Sequence, residues 1–262
     1  MTALLELHAV SKHFGGLAAV DKVEFAVEQG EILGIIGPNG AGKTTLLNCI
    51  SALEPLTAGE IVFKGQRIDT LKPHQIAQLG IGRTFQIVKP FIGLTVKENV
   101  AVGAMYGHTA RGESVGKAMH QAQEIMERVN LAHKGDYATD EITVADRKRL
   151  ELARALAMQP ELLLLDEVMA GLNPRETDEM MEVAQEINRR GVTILIIEHV
   201  MRAIMGISHR IVVMHHGKLI AAGTPQEIAN DDRVIEAYLG ERYAAAKRAK
   251  STGADSTASL WQ

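Results

Sequence analysis

The 262-residue chain has a single cysteine, Cys49, so no intrachain disulfide can form and a reducing, cytoplasmic setting suits it. Long apolar runs are also missing. Stretches such as VTILII (192–197) have the length of a strand and fall far short of a membrane span. The opening MTALLELHAV lacks the basic start and extended apolar core of a secretion signal, so no leader is expected. Positive charge is not in excess: 28 Lys and Arg face 32 Asp and Glu, a formal net charge of −4. That balance argues against a broad nucleic-acid-binding face. What remains is an ordinary globular composition, 46% hydrophobic, long enough to bury one large core or two lobes.

Period-2 segments come first: LLELHAV, VDKVEFAV and EILGII, broken by Gly15-Gly16 and Gln29-Gly30, with EIVFKG (60–65) following later. From about 95 to 158 the spacing turns helical. In 114–131, Val115, Ala118, Ala122, Ile125 and Val129 recur on one helical face. LLLLD (162–166) is too apolar for a half-exposed strand and suits the interior of a parallel sheet. PRETDEMMEVAQEINRR starts with proline and stops at Gly191, as helix ends should. VTILIIEH is another buried strand, and HRIVVM with GKLIAAG predicts a hairpin. Strands alternating with helices indicate a parallel α/β core, interrupted by a helical subdomain at about 87–158. Residues 1–240 are expected to form this domain and 241–262 a flexible tail.

Between a buried strand and a helix stands IIGPNGAGKTT (35–45), which contains G-x-x-x-x-G-K-T from Gly37 to Thr44. Glycines let backbone N–H groups close around phosphate oxygens, and the helix N-terminus adds partial positive charge. The nucleotide-binding candidates are therefore Gly37, Asn39, Gly40, Ala41, Gly42, Lys43, Thr44 and Thr45. Lys43 would reach the β- and γ-phosphates, Thr44 would ligate Mg²⁺ and Thr45 would touch the α-phosphate. Asp166 ends the leucine strand, where a lone carboxylate carries a heavy desolvation cost that Mg²⁺ would offset. Glu167 follows at once and could act as general base on an attacking water. These marks predict a P-loop nucleoside triphosphatase.

A guanine-reading N-K-x-D segment is absent, as is the arginine-bearing lid of small-molecule kinases. FQ (85–86) precedes the helical insert, ITVADRKRLELARAL leads into LLLLDE, MAGLNP follows, and His199 ends the next strand in IIEH. In these motifs and their order the sequence resembles the ATP-binding subunits of ABC transporters, over its whole length apart from the tail. Within that family, SKHFGGLAAVDKV, GRTFQ…TVKENV, DEVMAGLNP and RVIEAYLG resemble the branched-chain (hydrophobic) amino-acid importers. The resemblance implies a RecA-like parallel core with an N-terminal antiparallel β portion and an inserted α-helical subdomain. It implies ATP and Mg²⁺ as cofactors, with Phe14 stacking on adenine and Val20 as an apolar contact nearby. Gln86 would reach the Mg²⁺ and the attacking water, and His199 the γ-phosphate. The implied partners are a second ABC ATPase subunit in a head-to-tail dimer (as a rule a different chain), integral membrane permease subunits and, indirectly, a solute-binding protein. No nucleic acid is expected, and the place of work is the cytoplasmic face of the membrane, with the cassette peripheral. Branched-chain amino acids are the default solute, with urea, amides or aromatic acids as alternatives. Rival readings are a soluble ABC ATPase of DNA repair or translation, and a regulatory subunit that binds ATP without hydrolysing it. Intact Lys43, Asp166, Glu167 and His199 oppose the latter.

The family's signature is usually LSGGQ at a helix start that faces the partner's ATP. Here the matching residues are Ile142, Thr143, Val144, Ala145 and Asp146. Thr143 keeps a hydroxyl and Ala145 a small side chain, so both are candidates for contact with that nucleotide. Thr143 and Asp146 also fit a capping pattern. Leu150, Ala153, Leu156 and Ala157 should pack inward, while Arg147, Lys148 and Arg149 either form a solvated face or attract triphosphate across the dimer. Asn173 stands where the family commonly has aspartate. Two altered elements serving the partner's site suggest composite sites of unequal strength.

Overall fold

A computed structural model of the chain describes residues 3–85, 89–108 and 114–239. In chain order the first elements are strands β1 (Ala3–Phe14), β2 (Leu17–Glu28) and β3 (Ile32–Ile36), helix α1 (Lys43–Ile50), and strands β4 (Ala58–Phe63) and β5 (Gln66–Arg67). Helix α2 (Pro73–Gln78), strand β6 (Ile81–Arg83) and helices α3 (Val96–Tyr106), α4 (Val115–Arg128) and α5 (Val144–Ala157) follow. Strand β7 (Leu162–Asp166), helix α6 (Pro174–Arg189), strand β8 (Thr193–Ile197), helix α7 (Met201–Ile207), strands β9 (Arg210–His215) and β10 (Lys218–Gly223), and helices α8 (Pro225–Asn230) and α9 (Asp232–Leu239) complete the order. Two compact units divide these residues. One draws on positions up to 50, on 54–70 and on 196 onward; the other on 51–53 and 71–195. The tail expected beyond 240 lies outside the described residues.

In the first unit β1 pairs antiparallel with β2 on one side, Leu7 opposite Phe25, and with β4 on the other, Leu7 opposite Ile61. Alternating Leu5, Leu7, Val23, Val27, Ile61 and Phe63 turn inward and are buried, which is why these segments read with period 2. The register slips between Leu7 and Val10, where Ala9 adopts φ 48°, a bulge that turns the strand on its way to Phe14. A second group of strands carries β3 parallel to β9, Ile35 beside Val212, and β10 antiparallel to β9 as the expected hairpin. Every residue of β3 is buried, so its sequence is uniformly apolar rather than alternating. Helices α8 and α9 go beyond the sequence expectation. The start signal of α8 is nevertheless legible, since Thr224 and Glu227 form a capping box around Pro225.

Cys49 is buried on α1, and burial pushes its thiol up to about 11. A maleimide at pH 8 should leave the folded chain unlabelled and modify it promptly once urea unfolds it. Prompt labelling of the native protein would show that this helix packs differently.

In the second unit β6 runs parallel to β7, Gly82 beside Leu163, and all five residues of β7 are buried as LLLLD predicts. Helices α3, α4 and α5 occupy most of the predicted helical insert. They pack against one another, and Val96, Val100 and Ala104 of α3, Ala118, Ala122 and Met126 of α4, and Leu150, Ala153 and Ala157 of α5 are buried. Contact between α3 and α5 is close: a Cβ on Gly103 would stand 2.5 Å from the Arg154 carbonyl oxygen, so a larger residue there would force the helices apart. Leu156 is only half-buried, whereas Leu152 and Ala155 are covered, so the inward face of α5 is wider than the spacing suggests.

Candidate active site

The phosphate loop belongs to the first unit. Residues 37–42 join buried β3 to α1, whose first residue is Lys43. Two glycines are fixed by close backbone approach. A Cβ at Gly37 would lie 2.1 Å from the Met214 carbonyl oxygen, and one at Gly42, with φ 98°, 2.1 Å from that of Ala19. The loop is tied further by the Ala41 N–H donating to Pro38 O (3.1 Å) and the Gly217 N–H donating to Ala41 O (3.0 Å). Asn39 and Gly40 form the exposed crest, and Thr44 and Thr45 stand half-buried on the first turn. The Lys43 ammonium is curled back onto the loop, donating to Gly37 O (2.6 Å) and Pro38 O (3.1 Å). Carbonyls stand there where phosphate oxygens would compete for the same donor.

Phe14 ends β1 with 47% of its surface exposed, so it is not a core residue. The Lys12 ammonium lies 4.8 Å from its ring centroid, itself held by Glu54 (2.9 Å) and the Pro55 carbonyl (3.0 Å). Val20 corrects the expectation: it has no exposed surface, so it supports the strand from within and offers nothing to a ligand. His199 is exposed in the bend after β8.

The acidic residues belong to the second unit. Asp166 is buried at the end of β7, and its Oδ2 accepts from Arg83 Nη2 at 3.2 Å. Arg83 Nη1 donates to Ser51 Oγ at 2.6 Å, and the Asp166 N–H donates to Thr84 Oγ1 at 3.2 Å. Burial pushes the Asp166 carboxyl above its ordinary range, and the Arg83 guanidinium pulls it back. Its other oxygen, Oδ1, is buried with no hydrogen-bond partner. An orphaned carboxylate oxygen fits a hard, oxygen-seeking cation such as Mg²⁺ or a water that it binds. Glu167 follows in the left-handed region, φ 52°, with Val168 and Met169 buried behind it. Its carbonyl accepts from Lys148 Nζ (3.0 Å) and from the Ala170 N–H (3.3 Å). Gln86 lies outside the described residues. On either side of it, the Phe85 N–H donates to the Glu151 carboxylate and the Lys89 carbonyl accepts from Arg154 Nη1 at 3.0 Å. Helix α5 thus holds both flanks of that segment.

Thr143 caps α5, accepting from the Asp146 N–H at 3.1 Å. Asp146 does answer back, but to the Thr143 hydroxyl (2.9 Å) rather than to the capping residue's amide, and its second oxygen takes Arg149 Nη1 at 3.4 Å. Asp146 and Ala145 are buried, whereas Thr143 and Val144 are exposed. All three bases bond within the chain, so the cluster is not simply a solvated face. Arg147 donates to the Asp140 carbonyl, Lys148 to that of Glu167, and Arg149 pairs with Asp146 and Glu179. Asn173 caps α6 through a box with Glu176, a task it performs as well as aspartate. Thr143→Val should cost about 1 kcal/mol in urea unfolding, because it removes both the cap and the donor to Asp146. A change within about 0.3 kcal/mol would mean that the cap contributes nothing.

Arg83, Ser51 and Lys148 are the members that sequence reasoning missed. The signals were an arginine inside a short strand and a lysine within a cluster that read either as a solvated face or as an attractor of triphosphate.

Residues 20–170, more than half of the chain, match the family model for ABC transporters. The chain belongs to the ABC transporter family. Residues 218–244 of this cassette also match the model of the branched-chain amino acid ATP-binding cassette transporter. The high-affinity branched-chain amino acid transport ATP-binding protein LivG of Escherichia coli (strain K12) is 41% identical over 251 residues, which cover 91% of the cassette and 98% of that protein. The corresponding protein BraF of Pseudomonas aeruginosa is 38% identical over 250 residues, 91% and 98% of the two chains. The crystal structure of the ADP conformation of MJ1267, an ATP-binding cassette of an ABC transporter, resembles the cassette with a TM-score of 0.83 at 30% identity, covering 92% of this chain and 100% of that one. Among the described residues no helix is long and apolar enough to cross a membrane.

Proposed function

We propose that the cassette binds ATP with Mg²⁺ and hydrolyses it to drive uptake of branched-chain amino acids through separate membrane subunits. Lys43 exchanges the Gly37 and Pro38 carbonyls for β- and γ-phosphate oxygens, and the backbone amides of the loop take the remaining oxygens. Each unit offers a candidate ligand for Mg²⁺, Thr44 in the first and the free oxygen of Asp166 in the second, and the ion when bound would neutralise charge on the phosphates. Phe14 offers its exposed face to adenine, and His199 and Gln86 serve the γ-phosphate and the attacking water. Glu167 takes a proton from that water as its oxygen bonds to the γ-phosphorus. The bond from phosphorus to the β,γ-bridging oxygen breaks, and ADP leaves with the electron pair. Exposed Thr143 faces the ATP of a second cassette in a head-to-tail dimer, with the small Ala145 buried behind it at the helix start, and the altered signature makes the two composite sites unequal.

The observation that carries the reading is the end of β7, where an aspartate with one unbonded oxygen is followed directly by a glutamate. A groove of about 830 Å³ in the second unit, lined by Pro90, Ile92, Gly93, Thr139 and Arg147, is where a membrane subunit would dock. Ile92 is 94% exposed there, which suits an apolar partner surface. The test is phosphate release by the cassette assembled with its permease and solute-binding subunits in vesicles. Release should rise when the binding protein carries leucine, isoleucine or valine. Stimulation by urea, amides or aromatic acids instead would reassign the solute, and absence of hydrolysis would overturn the reading. Co-purification with nucleic acid rather than with an integral membrane protein would favour the soluble ABC ATPase.

A further inference from the structure

We propose that Lys148 is a positioning residue for Glu167, tying the general base of this chain to the helix that faces the partner's ATP. The inference rests on the assignment of Glu167 as base. Lys148 lies on the second turn of α5 and is only 8% exposed, although it carries a charge. An ammonium is withdrawn from water to this degree only where hydrogen bonding compensates it. Its Nζ is 3.0 Å from the Glu167 carbonyl oxygen. Glu167 needs such a restraint. Its φ of 52° places a residue bearing a Cβ in the left-handed region, which costs about 1–2 kcal/mol. Within its own loop the carbonyl is held by the Ala170 N–H at 3.3 Å, a long bond. The lysine bond falls on the peptide next to the Glu167 Cα, so it restrains the backbone from which the base projects.

The anchor is itself fixed. Asp146 bonds the Thr143 hydroxyl and Arg149, and Arg149 reaches across to Glu179 on α6. The α5 start is therefore joined directly to the Glu167 peptide and, separately, to α6. A shift of the first two turns of α5, such as engagement of a second nucleotide would produce, moves the Glu167 peptide with it. Displacement of a reacting group by about 1 Å costs on the order of 10²-fold in rate.

The test uses the full chain assembled with its membrane subunits. Lys148→Met keeps the length and packing of the side chain but removes the donor. It should lower kcat at least 10-fold while KM for ATP and affinity for a non-hydrolysable analogue stay within about twofold. Lys148→Arg, which restores a donor, should recover much of the lost turnover. Lys148→Met placed on Glu167→Gln should slow the residual reaction no further, because the group being positioned is already gone. Turnover of Lys148→Met within twofold of the parent, or a full additional loss in the double variant, would overturn the proposal. If Glu167→Gln alone kept parental turnover, the base assignment would fail instead, a different result. Should Lys148→Met not fold, Lys148→Leu, which also lacks a donor, takes its place under the same criteria.

Discussion

Glu167→Gln should bind ATP as the parent does and turn it over about 10²–10⁴-fold more slowly. The amide matches the carboxylate in size, so the left-handed turn at φ 52° and the buried Val168 and Met169 behind it are undisturbed. The Lys148 bond survives because it falls on the backbone carbonyl. What is lost is the ability to accept a proton from the attacking water. Saturating-ATP phosphate release measures the chemistry, and a fluorescent ATP analogue titrated against the same preparation measures binding. Turnover within about twofold of the parent would falsify the base assignment. Lower affinity with unchanged turnover would place Glu167 in binding instead.

Arg83→Met should destabilise the chain by about 3–5 kcal/mol in denaturant unfolding without nucleotide. Arg83 is buried beside a fully buried Asp166, and the two form an ion pair at 3.2 Å. Burial lowers the Arg83 pKa first, and the neighbouring Asp166 opposes that loss. Removing the cation leaves a carboxylate in low dielectric with neither oxygen compensated, since Oδ1 is already without a partner. The sign with pH follows. The folded Asp166 carboxyl is pushed above its unfolded value, so the folded state binds the proton more tightly. Without Arg83 that displacement grows. The stability deficit of the variant relative to the parent is therefore full at neutral pH and shrinks as pH falls through the raised pKa. A deficit that is constant with pH would mean that lost packing, not the stranded charge, sets the cost.

Much of the site was legible because its chemistry is local. A phosphate cradle needs consecutive backbone donors followed by a helix, and Gly37 to Thr44 supply these within eight positions. LLLLD announced a strand covered on both faces, and Thr143 announced the start of α5. The glycines at 37 and 42 read as letting backbone amides close around phosphate, and the structure adds that the carbonyls of Met214 and Ala19 exclude a Cβ there.

The sequence by itself determined the family, the phosphate loop, the two carboxylates at the end of β7 and the places where helices begin. Each is written in contiguous residues whose backbone preferences act over a few positions. Only the tertiary structure decided the fate of the buried charges. Arg83 and Asp166 are 83 positions apart and Lys148 and Glu167 are 19 apart, so nothing local marks them as partners. A lysine in a basic cluster stays in water unless the fold brings a carbonyl to it, and a valine near a ligand site stays a contact only if its surface is left open. Desolvation depends on everything packed around a group, and that sum is a property of the assembled fold.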